Sequence, residues 1–253
     1  MYDLWLGGKD NYEADRLAAD KLSRLIEDMP EICQDNRAFV GRAVRYLAEH
    51  GVDQFLDLGC GLPVAENVHQ IAQRVIPEAH VVYVDNDPVA GTHGQALLED
   101  GTTSAMLTAD FRDIDTLLGD PVVTRLIDWS RPVAVLLTAA LQHVLDEDDP
   151  SAIVGRLRAY LAPGSYLVLS HLSGEGLSTA QVRDAERLLG KATAPTVFRS
   201  RTDLEPFLAG FDRLPQGLDR PAQWWPEAGG TAGRTAGMWA VVAQVPASTG
   251  GGR

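Results

Sequence analysis

Asp57, Gly59 and Gly61 stand at alternate positions at the end of a short apolar run, in the stretch Gln54-Phe55-Leu56-Asp57-Leu58-Gly59-Cys60-Gly61-Leu62-Pro63. Glycine accepts positive φ and lets a ligand approach the backbone closely. Val64, Val68, Ile71, Ala72, Val75 and Ile76 then recur at three and four residues, which predicts a helix directly after the turn. The open amides at such a helix start favour an electron-rich or anionic group. Two further acids follow apolar runs. Asp85, with Asn86 beside it, ends His80-Val81-Val82-Tyr83-Val84, and it lies 24 residues beyond Gly61. An acidic side chain about there grips ribose hydroxyls in doubly wound nucleotide-binding folds. Asp110 and Phe111 follow the run 104–108. An acid with an adjacent aromatic suits the amino group and the face of an adenine. Together these residues describe a seat for an adenosine-like ligand. Cys60, counted with the turn, reads as a small filler between glycines rather than a nucleophile.

The elements that must position these residues follow from the same periodicity. A helix from about Glu13 carries Ala18, Leu22, Leu25, Ile26 and Met29 on one face, and Pro30 is expected to stop it. A second amphipathic helix runs from Asn36 to His50 and ends at Gly51. Strand, turn and helix from Gln54 come next, then the strand ending at Asp85, a helix over 88–98 and the strand 104–108. A helical connection over 114–129 is interrupted at Gly119-Asp120-Pro121. Val133 to Leu137 is a continuous apolar run, as a central parallel strand requires. Asp149-Pro150 caps a helix to Leu161, Pro163-Gly164 turns into a strand over 166–170, and Ser178-x-x-Gln181 opens a further helix. Thr202 to Leu208 is helical and Gly210-Phe211 leads into a sixth strand. Trp224-Trp225 is expected to pack on the sheet edge rather than wall a ligand site. Residues 227–237 read as mobile, 238–245 as a final antiparallel strand, and 247–253 as disordered. The fold class is α/β, a doubly wound seven-stranded sheet under a helical N-terminal cap. Residues 1–50 form the cap, 51–246 the ligand-binding domain and 247–253 the tail.

Asp57, Gly59, Gly61, Asp85 and Asp110 in this order resemble class I S-adenosylmethionine-dependent methyltransferases. The opening resembles one group within them. Tyr2-Asp3, Leu6-Gly7-Gly8-Lys9-Asp10-Asn11-Tyr12, Asp15-Arg16, Asn36-Arg37-Ala38-Phe39 and Asp85-Asn86-Asp87-Pro88 are similar to an actinobacterial methyltransferase family formerly of unknown function. The resemblance spans most of the chain. It implies S-adenosyl-L-methionine as cofactor, with Gly59 and Gly61 passing under the methionine moiety, Asp85 on the ribose and Asp110 facing adenine. It also implies that Thr138 and Ala139 line the pocket and that the cap closes over it, so that Asn11 and Tyr12 reach cofactor or substrate. His143 sits nearby, with a structural role preferred. Family members extend upstream of the tyrosine-aspartate pair, which bears on whether Met1 is the start.

Composition narrows the acceptor. The 253 residues carry a formal charge of −13 and are 45% hydrophobic. That suffices for one substantial α/β core and disfavours phosphate-backbone or anionic-membrane partners. Cys33 and Cys60 lie far apart, and the six histidines show no ligand spacing, so neither a disulfide framework nor a metal site is expected. No apolar run approaches the ~20 residues of a membrane helix, and a cytoplasmic protein is expected. Methyl transfer from a sulfonium is an in-line displacement that rests on alignment and water exclusion, so the sequence names no catalytic residue. No Asn-Pro-Pro-Tyr follows the fourth strand, which disfavours amide and adenine N-methylation. The expected acceptor is a small molecule. Two alternatives stand beside this reading. A non-catalytic S-adenosylmethionine binder is compatible with an intact turn and no evident base. An NAD-dependent oxidoreductase is disfavoured because Val64 replaces the third glycine of the dinucleotide fingerprint, and because no tyrosine has Lys four residues later.

Overall fold

The computed structural model describes residues 1–191, 194–225 and 236–247. Seven strands form one sheet: β1 (Gln54–Leu58), β2 (His80–Asp85), β3 (Ser104–Thr108), β4 (Ala134–Thr138), β5 (Tyr166–Leu172), β6 (Asp212–Arg213) and β7 (Met238–Gln244). Their order is β3-β2-β1-β4-β5-β7-β6. β1 to β5 pair in parallel, whereas β7 runs antiparallel to β5 and β6. All five residues of β1 are buried, as are the first four of β4, because helices cover both faces. The order reverses between β1 and β4. In open α/β sheets ligands bind at that reversal, outside the carboxyl ends of the strands. The turn after β1 and the segment after β4 therefore share one crevice.

The connections are α4 (Val68–Gln73), α5 (Pro88–Leu97), α6 (Ile114–Leu118), α7 (Pro121–Leu126), α8 (Pro150–Tyr160) and α9 (Thr179–Leu189), with α1 (Tyr2–Trp5), α2 (Glu13–Leu25) and α3 (Met29–Glu49) before the sheet. Proline at N1, where no amide hydrogen bond is lost, opens α5, α7 and α8. The Ser178 capping box opens α9.

Three expectations change. Pro30 stops nothing: α2 ends at Leu25, and Pro30 lies in the first turn of α3, where proline is tolerated. The helix expected from Val64 starts only at Val68, because Asn67 caps it and its Oδ1 accepts from the Val64 amide at 3.0 Å. The second cap helix is also not a lid element throughout. Phe39, Val40, Ala43, Val44 and Leu47 of α3 belong to the sheet's core, while Met29, Ile32 and Cys33 join a second cluster with α2, α9 and Met238. Trp224 packs as expected. It is fully buried against Phe39, and its Nε1 donates to the Ala240 carbonyl. The stretch 227–237 and the tail 247–253 fall almost wholly outside the described residues. Among the described residues no helix is long and apolar enough to cross a membrane.

Candidate functional site

The ends of β1, β2 and β3 are stitched together by backbone. Gly59 and Cys60 donate to the Val84 carbonyl at 2.8 and 3.1 Å, and Ala109 donates to the Asp85 carbonyl at 3.0 Å. Gly59 (φ +75°) and Gly61 (φ +67°) both need the left-handed region, but for different surroundings. A Cβ on Gly59 would come within 2.7 Å of the Ala140 side chain, so this glycine lets the β1 turn touch the segment after β4. A Cβ on Gly61 would meet nothing within 4 Å. Gly61 faces open space.

The acids around that space differ in state. Asp57 is 7% exposed, and its carboxyl makes no hydrogen bond among the described residues. Burial pushes its pKa up to about 7; the Arg37 guanidinium opposes this and the Asp85 charge adds to it. Its oxygens are not among the fully enclosed side-chain atoms left without a partner, so a cationic or donating group can reach the carboxyl from the open side of the turn. Asp85 is built into the turn. Its Oδ2 accepts from the Gly61 amide at 2.8 Å and its Oδ1 from the Asp87 amide at 2.9 Å. Each oxygen keeps a second lone pair, enough for a vicinal diol. Asn86 is exposed beside it.

Asp110, expected to face adenine, is paired within its own turn. Arg112 donates from Nε and Nη2 to its oxygens and holds the carboxyl below its ordinary range, with Asn86 adding a further hydrogen bond. Phe111 does approach the turn, with its ring edge 3.7 Å from where a Gly59 Cβ would stand. Burial raises the Cys60 thiol well above its usual range, so it stays protonated and serves as filler beside Met106. Thr138, half-buried, ends β4 opposite Ser170.

Asn11 and Tyr12 lie in the turn that leads into α2. The Asn11 amide donates to Asp3 Oδ2 (2.8 Å) and to the Gly8 carbonyl (3.1 Å), and its Oδ1 accepts from Arg16 (2.9 Å). Tyr12 is 67% exposed at the start of α2. Among the described residues no hydrogen bond joins either to the β1 turn. Gly8 is glycine because a Cβ there would stand 1.8 Å from the Asp3 carboxylate. The distinctive opening is thus a self-satisfied knot.

Sequence reading missed the chain of hydrogen bonds that anchors this knot. The Tyr2 hydroxyl donates to the Cys33 carbonyl (3.1 Å) and accepts from Asn36 Nδ2 (3.0 Å). Ser170 Oγ donates to Asn36 Oδ1 (2.6 Å) and accepts from the Ala139 amide (3.0 Å). Ala139 sits at φ +53°, a strained value for a residue with a Cβ. The chain therefore runs from the N-terminus to a strained residue at the mouth of β4. Arg37 was also missed as a site residue. It donates to the Glu66 carbonyl over the turn, and its charge acts on Asp57. Both residues lie in the quoted motif Asn36-Arg37, but side-chain type alone gave no direction.

Among the described residues no group of three potential ligands could hold a metal ion. The orphaned Asp57 carboxyl, the Arg37 cation, the Asp85 lone pairs and the open face of Gly61 fit a zwitterionic, ribose-bearing cofactor. The sequence matches the S-adenosyl methyltransferase family over residues 1–248. A duf574 family protein from Streptomyces avermitilis is similar at 38% identity, covering 97% of this chain and 95% of that one, with a TM-score of 0.90. A Thermobifida fusca protein provisionally named a methyltransferase is similar at 39% identity, over 97% and 93% of the two chains, also at 0.90. Human N-acetylserotonin methyltransferase in complex with SAM shares the fold at 14% identity and a TM-score of 0.52, over 98% of this chain and 63% of that one. No curated protein matches this chain. The chain belongs to the S-adenosyl methyltransferase family and takes S-adenosylmethionine as its cofactor.

Proposed function

We propose that this chain transfers the cofactor's methyl group to a small-molecule acceptor seated at the carboxyl end of β4. The observation that carries the reading is Asp57, a buried carboxyl with no hydrogen bond beneath an open glycine turn. In this reading Asp57 and Arg37 face the ammonium and carboxylate of the methionine moiety. Asp85 takes the ribose hydroxyls with its spare lone pairs, and Phe111 offers a ring edge. When bound, the cofactor supplies an electrophilic methyl on a sulfonium. The chain's own part is to align the acceptor and exclude water. The formal charge of −13 supports a small acceptor over nucleic acid. Cys33 and Cys60, both free thiols, suit work in the reducing cytoplasm.

Calorimetry with S-adenosylhomocysteine, S-adenosylmethionine and NADH tests the seat. Binding of the first two and not the third is expected. Asp57→Asn should weaken both while leaving the fold intact. NADH binding with no S-adenosylhomocysteine binding would reject the reading. Release of S-adenosylhomocysteine on a metabolite panel separates a transferase from a silent binder.

A further inference from the structure

The segment after β4 carries a ring held in one orientation with one nitrogen left over. His143 ends the 3-10 turn Leu141–His143, just past Ala139 and Ala140. Ala140 is the residue that meets Gly59, so this turn borders the cofactor's crevice. His143 Nδ1 lies 3.1 Å from the Pro195 carbonyl and 3.1 Å from the Thr196 hydroxyl. A carbonyl oxygen only accepts, so Nδ1 carries the proton and Nε2 the lone pair. Among the described residues Nε2 has no hydrogen-bond partner. Solvent reaches the ring, yet protein around it desolvates it and lowers its pKa. Asp85, across the crevice, acts in the opposite sense and favours the charged ring.

The platform under the ring is rigid. Arg199, 4% exposed, donates to the Leu141 carbonyl (3.1 Å), the Val144 carbonyl (2.8 Å), His171 Nε2 (2.9 Å) and Asp146 Oδ1 (2.6 Å). Gln142 adds two bonds, accepting from the Val197 amide at 2.8 Å and from the Leu172 amide at 3.1 Å. The backbone is thus gripped on both sides of His143. His171 is neutral, pushed down to about 3 by burial, and of the charged groups Asp85 is the one that acts on the His143 ring, while Arg199 and Asp146 act on His171. A fixed tautomer on a clamped turn is how a proton acceptor is held ready.

We propose that His143 is the general base of this enzyme and that its acceptor is a phenolic hydroxyl. The proposal rests on the methyl-transfer reading above. Near it Ala139, Trp5, Leu6, Leu177 and Phe198 are partly buried apolar residues, all set on the second core cluster, and an apolar surface of this kind suits the body of an aromatic ring. Such an acceptor holds its proton near neutral pH, and a neutral imidazole can take it in the transition state. His143 takes the hydroxyl proton on Nε2. The oxygen bonds to the methyl carbon as the carbon–sulfur bond breaks, and the electron pair stays on sulfur in the neutral thioether. The imidazolium, favoured by Asp85, then gives its proton to water.

Two measurements test this. Long-range 1H–15N NMR on the cofactor-free protein should show the Nδ1–H tautomer of His143, titrating below the ordinary value of about 6.5. An Nε2–H ring overturns the proposal. Formation of S-adenosylhomocysteine is then followed with 2-naphthol, 2-naphthylmethylamine and 2-naphthoate as matched probes. Transfer to 2-naphthol is expected, its rate falling as the pH drops through the His143 pKa. His143→Gln should keep its affinity for S-adenosylhomocysteine, lose the acid limb and lose about 10²-fold or more in rate. Transfer confined to the amine or the carboxylate overturns the proposal. So does a His143→Gln enzyme with the original rate and pH profile, or a protein that binds S-adenosylmethionine and methylates none of the probes. A protein that binds neither S-adenosylmethionine nor S-adenosylhomocysteine strikes the methyl-transfer reading itself, and this proposal with it.

Discussion

The two glycines of the β1 turn should fail in different ways, and the structure says how. Gly59→Ala and Gly61→Ala both place a Cβ on a backbone near φ +70°, which costs about 1–2 kcal/mol. At Gly61 nothing stands within 4 Å, so the stability loss should stop there. At Gly59 the new methyl meets Ala140 Cβ at 2.7 Å, with the Ala140 Cα at 3.7 Å behind it. Overpacking of this kind adds about 1–3 kcal/mol, for a total of about 2–5 kcal/mol. Gly59 substitutions are therefore poor probes of binding, and a valine there would lose fold and ligand together. Gly61→Ala is the clean probe, because its methyl projects into the space assigned to the cofactor. Urea unfolding should rank Gly59→Ala below Gly61→Ala, which should lie about 1–2 kcal/mol below the wild type. Calorimetry should then show Gly61→Ala with sharply weakened S-adenosylhomocysteine binding. Equal stability of the two variants would refute the packing argument, and unchanged affinity in Gly61→Ala would refute the placement of the ligand.

Asp85→Asn should weaken S-adenosylhomocysteine by about 1.5–3 kcal/mol, the worth of hydrogen bonds to a charged group, with little loss of fold because Oδ1 can still serve one amide; wild-type affinity by calorimetry would reject the diol assignment. Asp57 should release a proton on binding near pH 7, since a cationic ligand favours its charged form and its free pKa is raised to about 7. Affinity should rise with pH through that range, and the proton release, read in buffers of different ionisation enthalpy, should vanish in Asp57→Asn. The same raised pKa means that Asp57 contributes stability below about pH 4 and loses it as pH rises through about 7. Asp57→Asn should therefore unfold later than wild type at pH 8, by at most about 4 kcal/mol at 1.36 kcal/mol per unit; equal midpoints there would contradict the burial. Tyr2→Phe removes the hydroxyl that pairs with Asn36 and the Cys33 carbonyl and should cost about 1–3 kcal/mol in urea unfolding.

The sheet was legible in the sequence because β2, β3 and β4 are short apolar runs ended by Asp or Thr and β1 runs into Gly59, and the strands ending at Asp85 and Thr108 were read to within a residue. Helix boundaries were not. Pro30 looked like a stop because proline breaks a helix interior, yet it is equally suited to a first turn, and only the neighbouring Ile26 in extended conformation decides between the two. Val64 continued a helical period that Asn67 then interrupts by capping. In the site, backbone-determined positions such as Gly59, Gly61 and Asp85 were readable, because a turn demands a residue type at a spacing. The pairing of Asp110 with Arg112, two residues on, was not legible, because only the folded turn brings the guanidinium back onto the carboxylate. Arg199 gave no signal at all. Its four partners come from the turns after β4 and from β5, which only the fold brings together.

The N-terminal stretch is dense in residues that satisfy one another. Among Asp3, Gly8, Asn11 and Arg16, a Cβ at position 8 would displace the Asp3 carboxylate that Asn11 donates to, and a shorter side chain at 11 would lose its bonds to Asp3 and Arg16. A turn that closes on itself would need no anchor, yet Tyr2 reaches 31 residues ahead to Cys33 and is joined through Asn36 to Ser170. Ser170 in turn holds the amide of Ala139, whose left-handed backbone costs about 1–2 kcal/mol. A strained conformation persists only where its surroundings over-determine it. The knot's physical role is then to fix Tyr2, and through it the end of β4, where Thr138, Ala139 and His143 border the crevice. The signature thus reaches the end of β4 only at one remove, through the chain of bonds from Tyr2 by way of Asn36 and Ser170 to the Ala139 amide.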